Sequence, residues 1–408
     1  MPWPCPYLPF LYAFMNAARL PHRARASTIS RSRGCMPPML DASRDAERAG
    51  ELRRRSIGMP DPRVKARGCA RARSRDRSVA ASPTPPRPTA HSLSRGRATI
   101  IVLYHEGRAK LWDGIMTLSI KCADAPLGAE LFGVDLGHAL DDATFALIRH
   151  TLDDRGVIVL REQKLEPGDI TRFAERFGRL LIHAHNKYAL EDAPAVSVIS
   201  NIVENGRNIG VPDAGLVWHT DGSYLVRPDM YSFLYAVEIP MRDGVALGTT
   251  YYSSATAAYD ALPAALRERL DGLRAVHSFT HHSARRAARG GTRIEITDEL
   301  RRKHPDVSQP VVRTHPRTGR KGLYVSEGHT THILGLDRSE SDALLAQLWE
   351  HLRRPQFVYG HRWQVGDLLV WDNCATQHRA TCDYALPERR LMHRTATAGE
   401  ESVGIALG

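Results

Sequence analysis

The sequence predicts a mainly β domain with helical inserts, built as a sandwich or barrel, and three observations carry that expectation. Short apolar runs of strand character recur from residue 117 to residue 396, while few stretches show a helical period. Helices do not follow nearly every strand, as a wound βαβ sheet would require. The runs are separated by long excursions with no internal repeat, which suits inserts on a β core.

Taken in order, residues 117–122 and 129–134 read as short strands. Asp141–Asp154 reads as a helix, because Phe145, Leu147, Ile148 and Leu152 fall at helical spacing and its acidic start suits the positive end of the helix dipole. Residues 157–160 form a buried strand. Residues 167–177 form a second helix, with Pro167 in the first turn, where a missing N–H costs nothing. Residues 196–202 are a strand. Further strands are expected at 231–237, 249–253, 275–279, 310–314, 322–325, 356–362, 367–371 and 389–396, with helices at 255–270 and 339–353.

The 408 residues are 42% apolar, enough to bury a sizeable core, and contain no run of eighteen apolar residues, so no membrane-spanning helix is expected. The net charge of +11 is unevenly spread: residues 1–115 hold 20 Arg and 2 Lys against 8 acidic residues, a net of +14, which leaves 116–408 at −3. Residues 1–98 are dominated by Arg, Ala, Pro and Ser and show no sustained period, a composition that does not bury enough apolar surface to order itself. Residues 1–115 are therefore expected to be a disordered extension, and 116–408 the folded domain. Regular patterning begins at Met116, the expected natural start, with the upstream residues not native.

Two alternatives remain open for the extension. A targeting peptide would be Arg-rich and acid-poor, but the apolar stretch 6–14 has no basic residue before it. A basic nucleic-acid arm would need aromatic interleaving that is missing. The folded domain is expected to bind neither nucleic acid nor membrane. The six cysteines (Cys5, Cys35, Cys69, Cys122, Cys374 and Cys382) form no C-x-x-C pair, so a reducing compartment, the cytoplasm, is expected.

Two segments point to chemistry. Leu216-Val-Trp-His219-Thr-Asp221-Gly reads as an apolar strand ending in His-x-Asp, and residues two apart on extended chain project to one side. Gly366-Asp-Leu-Leu-Val-Trp-Asp-Asn-Cys-Ala-Thr-Gln-His378 reads as a second strand that empties into a histidine. One His-x-Asp with one distant His is the facial-triad pattern of iron(II) oxygenases, which leaves three metal positions for a chelating co-substrate and oxygen. His-x-Asp alone is weak, since His304-Pro-Asp306 repeats the spacing in a basic loop and reads as surface. The pairs His183/His185 and His281/His282 are further metal-capable histidines.

The Trp-His-Thr-Asp segment, then Val312-Arg-Thr-His-Pro-Arg-Thr-Gly-Arg-Lys, then Trp371-Asp-Asn-x-x-x-Gln-His378, then Arg390-x-Met-His-Arg394 together resemble the taurine/chlorophenoxyacetate dioxygenase family. The resemblance runs from about residue 116 to about 399. It implies a double-stranded β-helix (jelly-roll) core, Fe(II), and 2-oxoglutarate and O2 as co-substrates, with succinate and CO2 as products. It gives the metal-ligand and catalytic roles to His219, Asp221 and His378. Asp221 favours hydroxylation over halogenation, which needs that metal position open.

The far carboxylate of 2-oxoglutarate calls for an arginine, whose planar fork pairs bidentately. The family's spacing from the distal histidine points to Arg389. Matching the Arg-x-Met-His-Arg segment, with one residue inserted near Ala385, points to Arg390, which strand alternation places on one face with Met392 and Arg394. Arg390 is the expected anchor. The family's partner threonine falls on Thr250, with Thr249 as fallback, because Leu247-Gly-Thr-Thr250 departs from the usual Gly-Gly-Asp-Thr.

For the substrate, the resemblance assigns Arg394 to an anionic group and His183 to a further contact. Asn186 stands where the family has Tyr, and Gly215 where it has Asn. A site built on hydrogen bonds discriminates strongly when they are lost. The expected substrate is a small anion (a sulfonate, sulfate ester or carboxylate) other than taurine. A homo-oligomer is expected. The competing reading is a non-catalytic jelly-roll binding protein that keeps the motifs.

Overall fold

The computed structural model describes residues 118–182, 187–399 and 403–407, together with the backbone alone of 102–105 and 108–111. The domain is mainly β with helices, as expected. Strands β1 (Val102–His105), β2 (Arg108–Leu111), β3 (Ser119–Cys122), β4 (Ala129–Phe132), β5 (Val157–Leu160), β6 (Ser197–Ser200) and β7 (Asp229–Glu238) are followed by β8 (Thr250–Ser254), β9 (Arg274–His277), β10 (Val307–Pro310) and β11 (Thr330–Ile333). The last are β12 (Val358–His361), β13 (Leu368–Asp372), β14 (Thr376–Ala380), β15 (Leu391–Ala398) and β16 (Ile405–Ala406). Three two-residue or three-residue hairpins, at 203–208, 241–246 and 312–323, lie outside this numbering.

Nine strands form one sheet in the order β1-β2-β3-β4-β5-β13-β7-β15-β6. Only the β4–β5 pairing in it is parallel. A second sheet runs β12-β8-β14 and a third β11-β9-β10-β16, all antiparallel.

Helices α1 (Asp142–Arg155) and α2 (Pro167–Glu175) start where the sequence places them. The Asp141 side chain accepts from the Thr144 N–H at 2.9 Å and caps α1. Gly156 ends α1 in the left-handed region (φ 64°) and turns the chain straight into β5. Pro167 occupies the first turn of α2, behind a capping box from Glu166 and Asp169.

Alternation along β5 and β13 divides the core. Ile158, Leu160, Leu368 and Val370 face α1 and α2, where they pack with Ile148, Leu152, Phe173, Phe177 and Phe233. Val157, Val159, Leu369 and Trp371 face the other way, onto Tyr252 and Trp363 of the three-stranded sheet and its flank. The central strands are thus buried on both sides, which is why Val-Ile-Val-Leu and Leu-Leu-Val-Trp lack polar alternation. Each fully buried large apolar side chain contributes about 1.5–3 kcal/mol, so this layer fixes the position of the strands that carry the site.

Several expected elements differ. The helix at 255–270 is two, α3 (Ala255–Asp260) and α4 (Ala264–Leu270), broken at Leu262-Pro263 because the proline has no N–H to continue the ladder. The strand at 310–314 is divided: β10 ends at Pro310 and a separate hairpin starts at Val312. Helices α5 (Phe279–Ala288) and α6 (Asp298–Lys303) were not expected, nor was β11; α7 (Arg338–Leu352) was.

Candidate active site

Neither histidine of the expected triad sits at a strand end. His219 makes an isolated bridge with His378: its N–H donates to His378 O at 3.0 Å, and its carbonyl accepts from the His378 N–H at 2.8 Å. His378 lies in the middle of β14, paired across the sheet with Tyr252. The delivery works through a turn. Asp372, the last residue of β13, accepts from the N–H groups of Cys374 (2.7 Å) and Ala375 (3.3 Å), and Thr376 Oγ1 donates to Asp372 O at 2.8 Å. The chain thereby leaves the nine-stranded sheet at Asp372 and enters the three-stranded sheet at Thr376.

The three expected ligands converge. One donor atom from each of His219, Asp221 and His378 lies within 4.8 Å of the others. Asp221 Oδ1 is 3.4 Å from His219 Nε2 and 3.9 Å from His378 Nε2, and the two rings are 4.2 Å apart. His219 Nδ1 faces the carbonyl of Val217 at 2.8 Å; a carbonyl only accepts, so Nδ1 is the donor there and Nε2 is the ring atom turned toward Asp221. Burial pushes His378 down to about 3, with His219 and Arg394 adding to the effect, so its imidazole is neutral. Burial alone would raise the Asp221 carboxyl, but Arg394, His378 and His219 hold it well below the usual range. Two imidazoles, that of His378 neutral, and an ionised carboxylate form a donor set that fits a divalent transition metal.

Asp221 is held from behind by Ser232 and Asn373, which the sequence did not single out, and by Arg394, for which it expected another role. Its Oδ2 accepts from Ser232 Oγ (2.7 Å) and Arg394 Nη2 (2.9 Å). Asn373 Oδ1 accepts from the Asp221 N–H (3.2 Å) and from Trp371 Nε1 (3.1 Å), while its Nδ2 donates to Ser232 Oγ (3.0 Å). Register places Ser232 opposite Trp371 on β13 and Ala396 on β15. The Trp-Asp-Asn segment is therefore the support of the carboxylate as well as the approach to His378.

Arg394, expected to grip the substrate, also lies 3.4 Å from Asp229 Oδ2. Burial pushes the Asp229 carboxyl up to about 6, against the pull of Arg394 and with the help of Asp221. Arg390 and Thr250 are both buried. Arg390 Nη1 donates to Gly248 O at 2.8 Å, its Nε has no hydrogen-bond partner, and among the described residues no carboxylate pairs with its guanidinium. A Cβ on Gly248 would collide with Nη1, so glycine makes room for this side chain. Arg389 is exposed and pairs with Glu238 at 3.1 Å. The side chain of Thr249 points to the Gly360 side of the strand, away from Thr250.

Gly215 is in the left-handed region (φ 86°), and a Cβ there would meet Ala380 at 3.1 Å. Backbone geometry thus accounts for the glycine: the chain lies flat on β14, with Ala380 N–H donating to Gly215 O at 2.8 Å. His183, His185 and Asn186 lie outside the described residues. His281 meets the Glu327 carbonyl, whereas His282 stacks on His329 at 4.4 Å, beside His219. His304 closes α6 against Tyr224 and Phe279, and Asp306 is exposed, so that His-x-Asp does not join the triad.

A second cluster, His315, Asp372 and Cys374, brings metal-type side chains together. His315 Nδ1 accepts from the N–H groups of Arg317 and Thr318, both at 3.1 Å, and Nε2 donates to Asp372 Oδ2 at 2.6 Å. Both ring nitrogens are engaged, so His315 clamps the turn that delivers His378.

Comparison with known proteins agrees with this geometry. The α-ketoglutarate-dependent 2,4-dichlorophenoxyacetate dioxygenase of Burkholderia sp. (strain RASC) is 36% identical over 271 residues, covering 64% of this chain and 88% of that protein. The crystal structure of a taurine dioxygenase from Burkholderia xenovorans is 33% identical with a TM-score of 0.59, covering 71% of this chain and 95% of its own. That of AAD-2 in complex with Mn(II) and N-oxalylglycine is 28% identical with the same TM-score, covering 71% of this chain and all of its own. The family model for the taurine catabolism dioxygenase TauD, TfdA family matches residues 120–396, which span every ligand and support residue above, and the chain belongs to that family.

Proposed function

We propose that the chain is an Fe(II)- and 2-oxoglutarate-dependent dioxygenase that hydroxylates a small anionic organic substrate, with His219, Asp221 and His378 as iron ligands. One observation carries the reading: the domain holds both a three-donor metal cluster and a buried guanidinium, Arg390, that lacks a carboxylate among the described residues. A buried cation without a counter-ion is costly, and a carboxylate-bearing co-substrate removes that cost.

Iron(II) with 2-oxoglutarate and O2 supplies the oxidising chemistry there, giving succinate and CO2. His219 and His378 would each offer Nε2 to the metal. Asp221 adds one negative charge and keeps its inner oxygen toward the histidines. Arg390 and Thr250 take the far carboxylate of the co-substrate. Thr250 is two residues along β8 from Tyr252, the residue facing His378, a separation of about 7 Å on strand geometry. The part of the Arg394 guanidinium not engaged by Asp221 and Asp229 takes the anionic group of the substrate. The acidic substrate in the name of the Burkholderia relative supports an anion. The likeness to solved dioxygenases supports a double-stranded β-helix core.

Succinate release tests the reading. It is expected to require both added Fe(II) and 2-oxoglutarate, to rise with an accepted sulfonate, sulfate ester or aryloxy carboxylate, and to vanish in His219→Ala, Asp221→Ala and His378→Ala. Undiminished succinate formation by Asp221→Ala would overturn it.

A further inference from the structure

Trp363 is not a metal or co-substrate ligand in the reading above, yet it touches both residues of the carboxylate pocket. Its Nε1–H donates to Thr250 Oγ1 at 3.0 Å, and its ring lies 5.6 Å from the Arg390 guanidinium carbon. The residue is buried and its ring is fixed from the far side. His361 meets it edge to face at 4.6 Å, and Asp367 Oδ2 holds His361 Nε2 at 3.1 Å and Arg161 Nη1 at 2.6 Å.

The indole N–H donates and never accepts, whereas a threonine hydroxyl can do either. With its oxygen already accepting from Trp363, Thr250 has its own proton to give elsewhere. No other described side chain hydrogen-bonds to that hydroxyl. Two donors are then left to give: the Thr250 O–H and the Nε of Arg390, which has no hydrogen-bond partner among the described residues. A group that only accepts, an ionised carboxylate, satisfies both; a terminal amide or alcohol brings a donor that meets another donor.

The geometry points to Trp363 as a positioning residue that, by donating to Thr250 Oγ1, aims the Thr250 hydroxyl proton at the far end of the 2-oxo acid and so favours a carboxylate there. This rests on the assignment of Arg390 and Thr250 to 2-oxoglutarate.

Calorimetric binding of N-oxalylglycine to the Mn(II)-loaded full chain tests it without turnover. Trp363→Phe keeps the ring and removes the donor, and is expected to weaken binding about tenfold, the size of one hydrogen bond to a charged group. Thr250→Val is expected to lose a similar factor, and the double variant no more than either single one, because the two side chains act through one bond. In turnover, Trp363→Phe raises the KM for 2-oxoglutarate and leaves kcat nearly unchanged. Unaltered affinity in Trp363→Phe, or losses that multiply in the double variant, would overturn the positioning role while leaving the dioxygenase assignment intact. Failure of the wild-type Mn(II)-loaded chain to bind N-oxalylglycine overturns both. Should Trp363→Phe not fold, the wild-type chain carries the test: it is expected to prefer N-oxalylglycine over its terminal amide by at least about a hundredfold, and equal affinity would defeat the proposal.

Discussion

Arg394 donates to the outer oxygen of Asp221 at 2.9 Å, so the arginine expected to hold substrate also orients a carboxylate proposed as a metal ligand. The inner oxygen is left facing both histidines. Arg394→Ala is therefore expected to weaken metal binding even with no substrate present, by about 10–100-fold, the usual cost of removing a partner behind a ligand. Titration of the variant with Mn(II) reads this directly. An arginine that served substrate alone would leave the metal affinity untouched.

Asp229 competes for the same guanidinium. Its carboxyl is raised to about 6 by burial, so the folded state holds that proton more tightly than the unfolded chain does. Stability from this group is present below about pH 4 and is lost as pH rises through about 6. Asp229→Asn removes the effect. In the metal-free protein, the stability of the variant relative to wild type is expected to grow between those limits by about 3 kcal/mol at most, measured by urea unfolding across pH. The freed Arg394 should also lower the KM for an anionic substrate several-fold.

Gly248 makes room for Arg390 and sits in the left-handed region (φ 75°). Gly248→Ala is expected to push the guanidinium aside and to cost about 1–3 kcal/mol of stability through strain and overpacking. Its kinetic signature is a raised KM for 2-oxoglutarate with the metal affinity preserved, the reverse of Arg394→Ala.

The ligands and supports described above lie between Gly215 and Arg394. A chain begun at Met116 is expected to keep Fe(II)- and 2-oxoglutarate-dependent succinate release. It loses β1 and β2, which end the nine-stranded sheet, and so exposes the edge of β3. Reduced solubility with retained turnover per molecule is the expected outcome, read by assay of the purified soluble fraction.

The sequence was most informative where local rules act alone. The capped helix after Asp141, the proline-started helix at 167 and the doubly buried strands at 157–160 and 368–372 all carry their own signals. It failed at β14, because Thr-Gln-His-Arg-Ala has no apolar alternation: the strand is specified by its pairing with β8 and by the Asp372 turn. Helix α5 was missed because a run of His and Arg hides its face, with Ser283 its only fully buried residue. The triad was legible through spacing and resemblance. Ser232, Asn373, Asp229 and Trp363 were not, since each works through a partner 113 to 165 positions away, a distance no local pattern records.

The fixing of Arg390 shows how this chain absorbs an extra residue. Its N–H donates to Asn201 Oδ1 at 2.8 Å, and its carbonyl accepts from Ser200 Oγ at 2.7 Å. Arg390 is thus located by what it docks against on β6 and the residue that follows. A change in the length of the link from His378 would leave this anchoring of Arg390 in place. Counting along the chain from the distal histidine points to Arg389, which is exposed and paired with Glu238, whereas the mooring at Asn201 and Ser200 belongs to the buried Arg390.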